Sequence, residues 1–128
     1  MMKHLKGIAM ALLLTATLVA CKKDSEPAPF TMIGKWVGKI GKGSNTPSGY
    51  YALNIKSNGT VERISSNGDV SATGTWALEG EAFTAVYTYP GSGGTVNVDA
   101  TVEKAQNKLT GYWENTGDEE GTFYATRQ

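Results

Sequence analysis

Apolar and polar residues alternate with a period of two from Thr31 onward, in short runs separated by turn-forming residues. This alternation is typical of β-strands with one buried face, and no segment carries the 3.6-residue period of an amphipathic helix. The runs recur every ~10–13 residues, close to the strand spacing of sandwiches and barrels. The pattern predicts eight strands, at residues 34–40, 50–55, 60–65, 70–78, 82–89, 95–103, 108–114 and 122–127.

Asn-Gly pairs mark two of the predicted turns, at Asn58-Gly59 and Asn67-Gly68. Such pairs supply the positive φ angles of tight hairpins. Hairpins between consecutive strands, with no long crossover, describe an up-and-down antiparallel meander. Closing the meander removes its exposed edges, so we expect an all-β fold whose eight strands form a small barrel.

The same alternation predicts which side chains face the inside of the barrel. The large rings expected in the lumen are those of Trp36, Trp76, Trp113 and Phe123. Side chains can just fill an eight-stranded barrel, so these rings should close most of the bore. Any remaining cavity should lie at the mouth, beside residues 41–49, and be smaller than roughly 300 Å³. Val61 and Ile64 fall on opposite faces of a regular strand, which predicts either a β-bulge or a shifted strand boundary there.

The first twenty residues carry an export signal, with a positive start, an apolar run at residues 7–19 and a small-residue cleavage site. Its end, Leu18-Val19-Ala20-Cys21, resembles the lipobox of bacterial lipoproteins. The resemblance implies cleavage before Cys21 and its acylation with palmitate or a similar chain, and two or more acyl chains hold a protein durably on a membrane. The expected organisation is a signal peptide at 1–20, a lipidated Cys and flexible tether at 21–31, and a barrel domain at 32–128.

Charged residues follow the cysteine, in the run Lys22-Lys23-Asp24-Ser25-Glu26. The run is similar to the export tags that carry lipoproteins of Bacteroidetes-type bacteria to the cell surface. A merely solvated linker explains the same residues equally well. We therefore expect an outer-membrane lipoprotein of the cell envelope, and the sequence leaves open whether it faces the surface or the periplasm.

Gly34-Lys35-Trp36, at the start of the first predicted strand, resembles the Gly-x-Trp signature of lipocalin-like and avidin-like proteins, the calycin group. The resemblance implies a basic residue of the final strand against that tryptophan, and Arg127 is the matching residue. Trp36 and Arg127 are thus expected to touch and to close one end of the barrel. Nothing in the chain matches the polar biotin-binding residues of avidins, so the resemblance implies a fold and no ligand.

The inventory of reactive side chains argues against an enzyme. The one His and the one Cys of the chain, His4 and Cys21, leave with the signal peptide or carry lipid, so no Cys/His or Ser-His-Asp site and no Cys/His zinc site can form in the mature chain. We expect no catalytic residue, metal or cofactor. The chain has 12 basic and 12 acidic residues, and loss of residues 1–20 removes two lysines and no acid. A slightly acidic protein is not expected to bind nucleic acid.

A binding function remains, and the outer face of the barrel offers the first surface for it. If Trp113 pairs with Phe123, Tyr112 lies opposite Tyr124, and the side chains that point outward together are those of Tyr50, Tyr112, Tyr124 and Val37. Exposed tyrosines can stack on glycan rings or anchor a protein partner, although such a pair can also merely stabilise the sheet. The leading expectation is a non-catalytic binding module for a glycan or protein. The alternatives are a carrier or sensor of a small apolar ligand in the lumen, and an inhibitor or envelope-assembly protein.

Overall fold

A computed structural model describes residues 29–128 of the chain, and these residues form eight strands and one short 3₁₀ helix. Every strand predicted from the sequence is present, with ends that differ by at most two residues. The predicted signal peptide, Cys21 and most of the tether lie outside the described residues. The strands are β1 Gly34–Ile40, β2 Gly49–Ile55, β3 Thr60–Ile64, β4 Val70–Glu79, β5 Ala82–Thr88, β6 Thr95–Glu103, β7 Lys108–Asn115 and β8 Glu120–Arg127.

Each strand pairs antiparallel with the next, and β1 also pairs with β8, which closes the sheet into a barrel in the order β1 to β8. The prediction of a closed all-β meander is therefore confirmed. The 3₁₀ helix, Lys104–Gln106, joins β6 to β7. Within residues 29–128 no helix is long and apolar enough to cross a membrane.

Because neighbouring strands run in opposite directions, the barrel has two distinct ends. The start of β1, the end of β8 and the 3₁₀ helix meet at one end, where residues 29–33 enter the structure. We call this the closed end, since Met32 is buried there and its carbonyl accepts a hydrogen bond of 3.0 Å from the buried Trp36 indole. The other end, the mouth, carries the loops at residues 41–48, 65–69, 89–94 and 116–119.

The core lies inside the barrel and follows the predicted alternation. β5 shows it most clearly, because Phe83, Ala85 and Tyr87 are buried while the residues between them are exposed. The largest fully buried side chains come from β1, β2, β5 and β8, and they are those of Trp36, Tyr51, Tyr87, Phe83 and Phe123. Their burial stabilises the barrel and fills the interior that a wider barrel would leave open.

The pairing of β3 with β4 is irregular where the sequence predicts it, and the unpaired residue is Ser71 of β4, between Val70 and Ala72. The register with β4 shifts between Arg63 and Ile64, so that Val61 and Ile64 are both buried although a regular strand would place them on opposite faces. Arg63 pairs with Leu53 and Ala72, which are both buried. Arg63 therefore shares their face and points into the barrel near the mouth.

Candidate functional site

Trp36 and Arg127 lie opposite each other on β1 and β8, at the closed end. The Arg127 Nε–H donates a hydrogen bond of 2.9 Å to the carbonyl of Ile33, while the Trp36 indole binds the carbonyl of Met32. Both side chains thus hold the segment that enters the barrel. The cation–π contacts among the described residues belong to other pairs, formed by Arg63, Lys104 and Lys108.

The four rings predicted for the lumen occupy different depths. Trp36 and Phe123 are fully buried, whereas Trp76 and Trp113 are half-buried. The Trp76 indole donates to the carbonyl of Lys56 at 2.8 Å near the closed end, and its ring stacks on Phe83. The Trp113 indole lies at the mouth and donates to the carbonyl of Gly41 at 2.9 Å. Each exposed indole edge is therefore used to hold a loop.

The expected pairing of Tyr112 with Tyr124 is wrong by two residues. Tyr112 lies opposite Thr122, and Trp113 lies opposite Gly121 where Phe123 was expected. The reason is steric, because a Cβ at position 121 would approach the carbonyl oxygen of Gly41 to 2.0 Å and the Trp113 indole nitrogen to 2.8 Å. Only glycine leaves room for the indole to reach that carbonyl.

This register divides the predicted tyrosine face into two parts. Tyr124 and Tyr50 flank Lys39 in one row across β8, β1 and β2. Val37 lies on β1, two residues before Lys39. Tyr124 and Val37 are half-buried, and Tyr50 is 39% exposed. Tyr112 belongs to a separate row and is 69% exposed, more than any other large hydrophobic side chain among the described residues.

Tyr112 stands in a shallow groove of about 400 Å³ on the outer face of β6, β7 and β8. We call this the Tyr112 groove. Two cross-strand rows form its floor, and they consist of Asp99, Tyr112 and Thr122 in one row and Asn97, Glu114 and Glu120 in the other. The groove combines one aromatic ring with three carboxylates, an amide and a hydroxyl. Within residues 29–128 no group of three or more His, Cys, Asp or Glu side chains is arranged to hold a metal ion.

Glu114 and Glu120 are direct cross-strand partners with the same charge, an arrangement that destabilises a sheet. Both side chains are exposed, which lets water screen the repulsion. An unfavourable pair beside the most exposed tyrosine is consistent with a surface shaped for a ligand.

A second site lies in the mouth of the barrel, and the sequence reasoning missed its inward-pointing Arg63. A pocket of about 300 Å³ lies beside Gly41 and Lys42, where the remaining cavity was expected, and its volume equals the predicted upper bound. Its wall is aromatic and basic, with Arg63, Tyr87, Tyr89, Trp113, Lys42 and Val96 among the lining residues. We call it the mouth pocket. Arg63 lies two residues after the inward-facing Val61 on β3, and this spacing could have predicted that Arg63 also faces inward.

Two buried phenols lie beside the mouth pocket. The hydroxyl groups of Tyr51 and Tyr87 are 3.1 Å apart, and the Arg63 guanidinium lies 4.5 Å from the centre of the Tyr51 ring. Burial raises the pKa of Tyr87 to about 12, and burial together with the neighbouring Tyr87 also raises the pKa of Tyr51 well above its ordinary value. Both groups are therefore neutral hydrogen-bond donors at physiological pH.

The raised pKa values predict a loss of stability at alkaline pH. Above pH ~10 the unfolded chain ionises both phenols while the folded chain keeps them protonated, so the stabilisation is complete below that pH and is lost as the pH rises towards 12. Each phenol should lower the free energy of unfolding by about 1.4 kcal/mol per pH unit in that window.

Urea unfolding of the wild type and of a Tyr51→Phe/Tyr87→Phe variant, at pH 9 and pH 11.5, measures this effect. The double variant removes both partners of the hydrogen bond, so its stability at pH 9 should stay close to that of the wild type. Its decline with pH should be shallower. Parallel declines of the two proteins would contradict the prediction.

Comparisons of the chain with protein-family models, with curated proteins and with solved structures find no match.

Proposed function

We propose that this protein is a membrane-anchored, lipocalin-like barrel that binds a glycan without catalysis, through the Tyr112 groove. The observation that carries the proposal is the exposure of Tyr112 between Asp99 and Thr122 on an otherwise polar wall. Exposed tyrosines are enriched at binding surfaces, because the ring offers a large apolar face while the hydroxyl group can bond to a ligand or to water.

The chemistry of the groove suits a sugar ring. A tyrosine ring can pack against the apolar C–H face of a pyranose, while carboxylates and amides around it bind the hydroxyl groups at the edge of the sugar. Asp99, Glu114 and Asn97 are exposed and lie one or two residues from Tyr112 across the sheet. The volume of about 400 Å³ is within the usual range for small-molecule sites.

Binding is favoured over hydrolysis because of where the carboxylates lie. A glycosidase needs one carboxylic acid whose pKa is raised by an apolar pocket, and a second that stays ionised. Asp99, Glu114 and Glu120 are all exposed on an open sheet face. Such an open surface can hold a sugar and has no apolar pocket around any of the three carboxyl groups.

The proposed anchor fits the direction of the barrel. The chain enters at the closed end, since Met32 and Trp36 lie there. A lipid on Cys21, eight residues before Pro29, would hold that end towards an outer-membrane leaflet. The mouth and the upper part of β7, which carries Tyr112, would then face away from the bilayer towards glycans of the envelope or its surroundings.

Replacing Tyr112 with serine should weaken glycan binding about tenfold, because the variant loses the apolar area that the ring buries together with roughly 0.5–1.5 kcal/mol from the aromatic contact itself. Titration of the purified protein with envelope and host polysaccharides, read by calorimetry, measures the loss. Tyr124→Ser is the matched control, since Tyr124 also points outward from the last hairpin but lies in the other row.

The control should keep wild-type affinity, and both variants should keep the wild-type circular dichroism spectrum. Equal binding by Tyr112→Ser and the wild type would refute the groove as the site. Binding of a basic peptide in place of every polysaccharide would instead assign the acidic groove to a protein partner.

A further inference from the structure

The mouth pocket contains a charge that the barrel itself does not neutralise. The two ion pairs among the described residues are Lys42–Glu119 and Lys56–Glu62, and Arg63 belongs to neither. Arg63 nevertheless points inward beside buried aromatic rings. Arg63 is half-buried, so water and the Tyr51 ring compensate part of its charge, and no carboxylate of the described residues pairs with it.

The hydrogen bonds of Arg63 explain only part of its placement. Its Nη1 donates to the carbonyl of Ile64 at 2.8 Å and its Nη2 to the carbonyl of Tyr50 at 3.2 Å, which supports the backbone at the bulge. A guanidinium has five N–H donors, so three remain. One of them, the Nε–H, is buried and makes no hydrogen bond of normal geometry, although the guanidinium also interacts with the Tyr87 hydroxyl group and lowers the pKa of that phenol. An unpaired buried donor of this kind costs about 1–3 kcal/mol, more when it is charged.

Neutral phenols complete a site for an anion. In the Tyr51–Tyr87 pair one hydroxyl donates to the other, which leaves one O–H free to donate to a third group. The Tyr51 ring covers one face of the Arg63 guanidinium, so a ligand must approach that guanidinium along its edge. Edge-on approach is the geometry in which a guanidinium binds a carboxylate with two parallel hydrogen bonds.

The charges and the shape of the mouth pocket indicate the charge and the size of its ligand. Lys42 is neutralised by Glu119, whose pKa its ammonium lowers, so Arg63 supplies the single uncompensated charge and suits a monoanion. The lining beyond Arg63 is largely aromatic and aliphatic, with Tyr87, Tyr89 and Trp113. The volume of about 300 Å³, with Trp36 and Phe123 filling the bore below, leaves space for a short body and none for a long acyl chain.

We propose that the mouth pocket binds a small monocarboxylate, with its carboxylate on the edge of the Arg63 guanidinium and a short apolar or aromatic body against Tyr87, Tyr89 and Trp113. This site is separate from the proposed glycan site, because it lies inside the barrel and the Tyr112 groove lies outside.

Titration of the full-length protein with benzoate and hexanoate, and with the matched neutral amides benzamide and hexanamide, tests the proposal. Trp113 lines the pocket, so its fluorescence reports binding, and calorimetry gives the dissociation constants. At least one carboxylate should bind, and its amide should bind about tenfold to a hundredfold more weakly, as expected for hydrogen bonds to a charged group. Equal affinity for acid and amide, or no binding of either acid at millimolar concentration, would overturn the proposal.

Substitutions of Arg63 and Lys39 test which positive charge binds the carboxylate. Arg63→Gln should lose the preference for the acid over the amide, and Arg63→Lys, which keeps the charge without the planar fork, should lose most of it. Lys39→Gln is the matched control, because it removes one positive charge from the outer face near the same end of the barrel. It should bind benzoate and hexanoate as the wild type does. Loss of binding in Lys39→Gln but not in Arg63→Lys would show that long-range charge, and not the pocket, holds the anion.

The design remains decisive if Arg63→Gln fails to fold. Arg63→Lys retains the aliphatic stem and the charge, and the comparison of acid with amide needs only the wild type. Failure of this proposal would leave the glycan site untouched, since the readout of the glycan site depends on Tyr112 and a polysaccharide.

Discussion

Replacing Gly74 with alanine should unfold or severely destabilise the barrel. Gly74 lies on the inner face of β4, between Val61 of β3 and Tyr87 of β5. A Cβ at this position would lie 1.7 Å from the carbonyl oxygen of Val86 and 2.6 Å from the Cα of Tyr87. Both atoms belong to the backbone of the neighbouring strand, so no side-chain rotation can relieve the overlap.

The expected loss is at least about 3 kcal/mol, the upper end for overpacking in a core and a large share of the roughly 5–15 kcal/mol that stabilises a typical domain. Urea unfolding measures it. Gly117→Ala is the matched control, because a Cβ there would meet nothing closer than the Asn115 side-chain oxygen at 3.4 Å. The control should change the free energy of unfolding by less than about 1 kcal/mol. A Gly74→Ala variant as stable as the control would show that the strands can separate at this point without loss.

The inward glycines have a structural role that alternation alone does not reveal. Gly38, Gly74 and Gly111 alternate with the large rings on the inner face, where their small size could be taken as room that the rings fill. In the structure a Cβ at any of the three would lie within 2.1 Å of a carbonyl oxygen on an adjacent strand. These glycines permit the close approach and sharp coiling of strands in a narrow barrel, a common role of glycine in strand interiors. They leave no space for a ligand.

The strands were predictable because they depend on a local property, whereas the pairing of β1 with β8 was predictable because it removes the two exposed edges of the sheet. A residue that faces the core must be apolar, and the period of two follows directly from strand geometry. Phe83, Ala85 and Tyr87 illustrate this, since each is buried and each is separated from the next by an exposed residue. A meander needs only the additional condition that consecutive strands pair.

The candidate sites depend on register, which local pattern does not determine. A shift of two residues in the hairpin of β7 and β8 preserves every inward and outward assignment, so alternation could not detect it. The shift is set by the fit of the Trp113 indole over Gly121 to the carbonyl of Gly41, a contact between residues far apart in sequence. Tyr112 consequently stands beside Asp99 and Thr122, and away from Tyr124.

Arg63 was missed for a different reason. Val61 and Ile64 are both apolar and lie three residues apart, so alternation alone does not determine which face of β3 carries Arg63. The structure shows that the bulge follows Arg63, so Val61 and Arg63 still share a face. The sequence therefore predicts the irregularity in β3, but it does not show that Arg63 points into the mouth pocket.

Cys21→Ser should release the protein from the membrane fraction. Cys21 is the only cysteine of the chain and ends the Leu18-Val19-Ala20-Cys21 motif, so the substitution removes the thiol on which lipidation begins. A protein with two or more acyl chains remains membrane-bound, since each buried CH₂ contributes about 0.8 kcal/mol, and a protein without them has no comparable attachment. The wild type should sediment with membranes and incorporate labelled palmitate, and the variant should do neither.

Ser25→Ala is the matched control, since it changes a hydroxyl group near the anchor and leaves the motif intact. It should sediment and incorporate label as the wild type does. Because the barrel has its own buried core and a closed end held by Met32, Trp36 and Arg127, the released Cys21→Ser protein should keep the wild-type unfolding curve. A variant that still sediments, together with a wild type that takes up no palmitate, would contradict the anchor and with it the proposed orientation of the Tyr112 groove away from the bilayer.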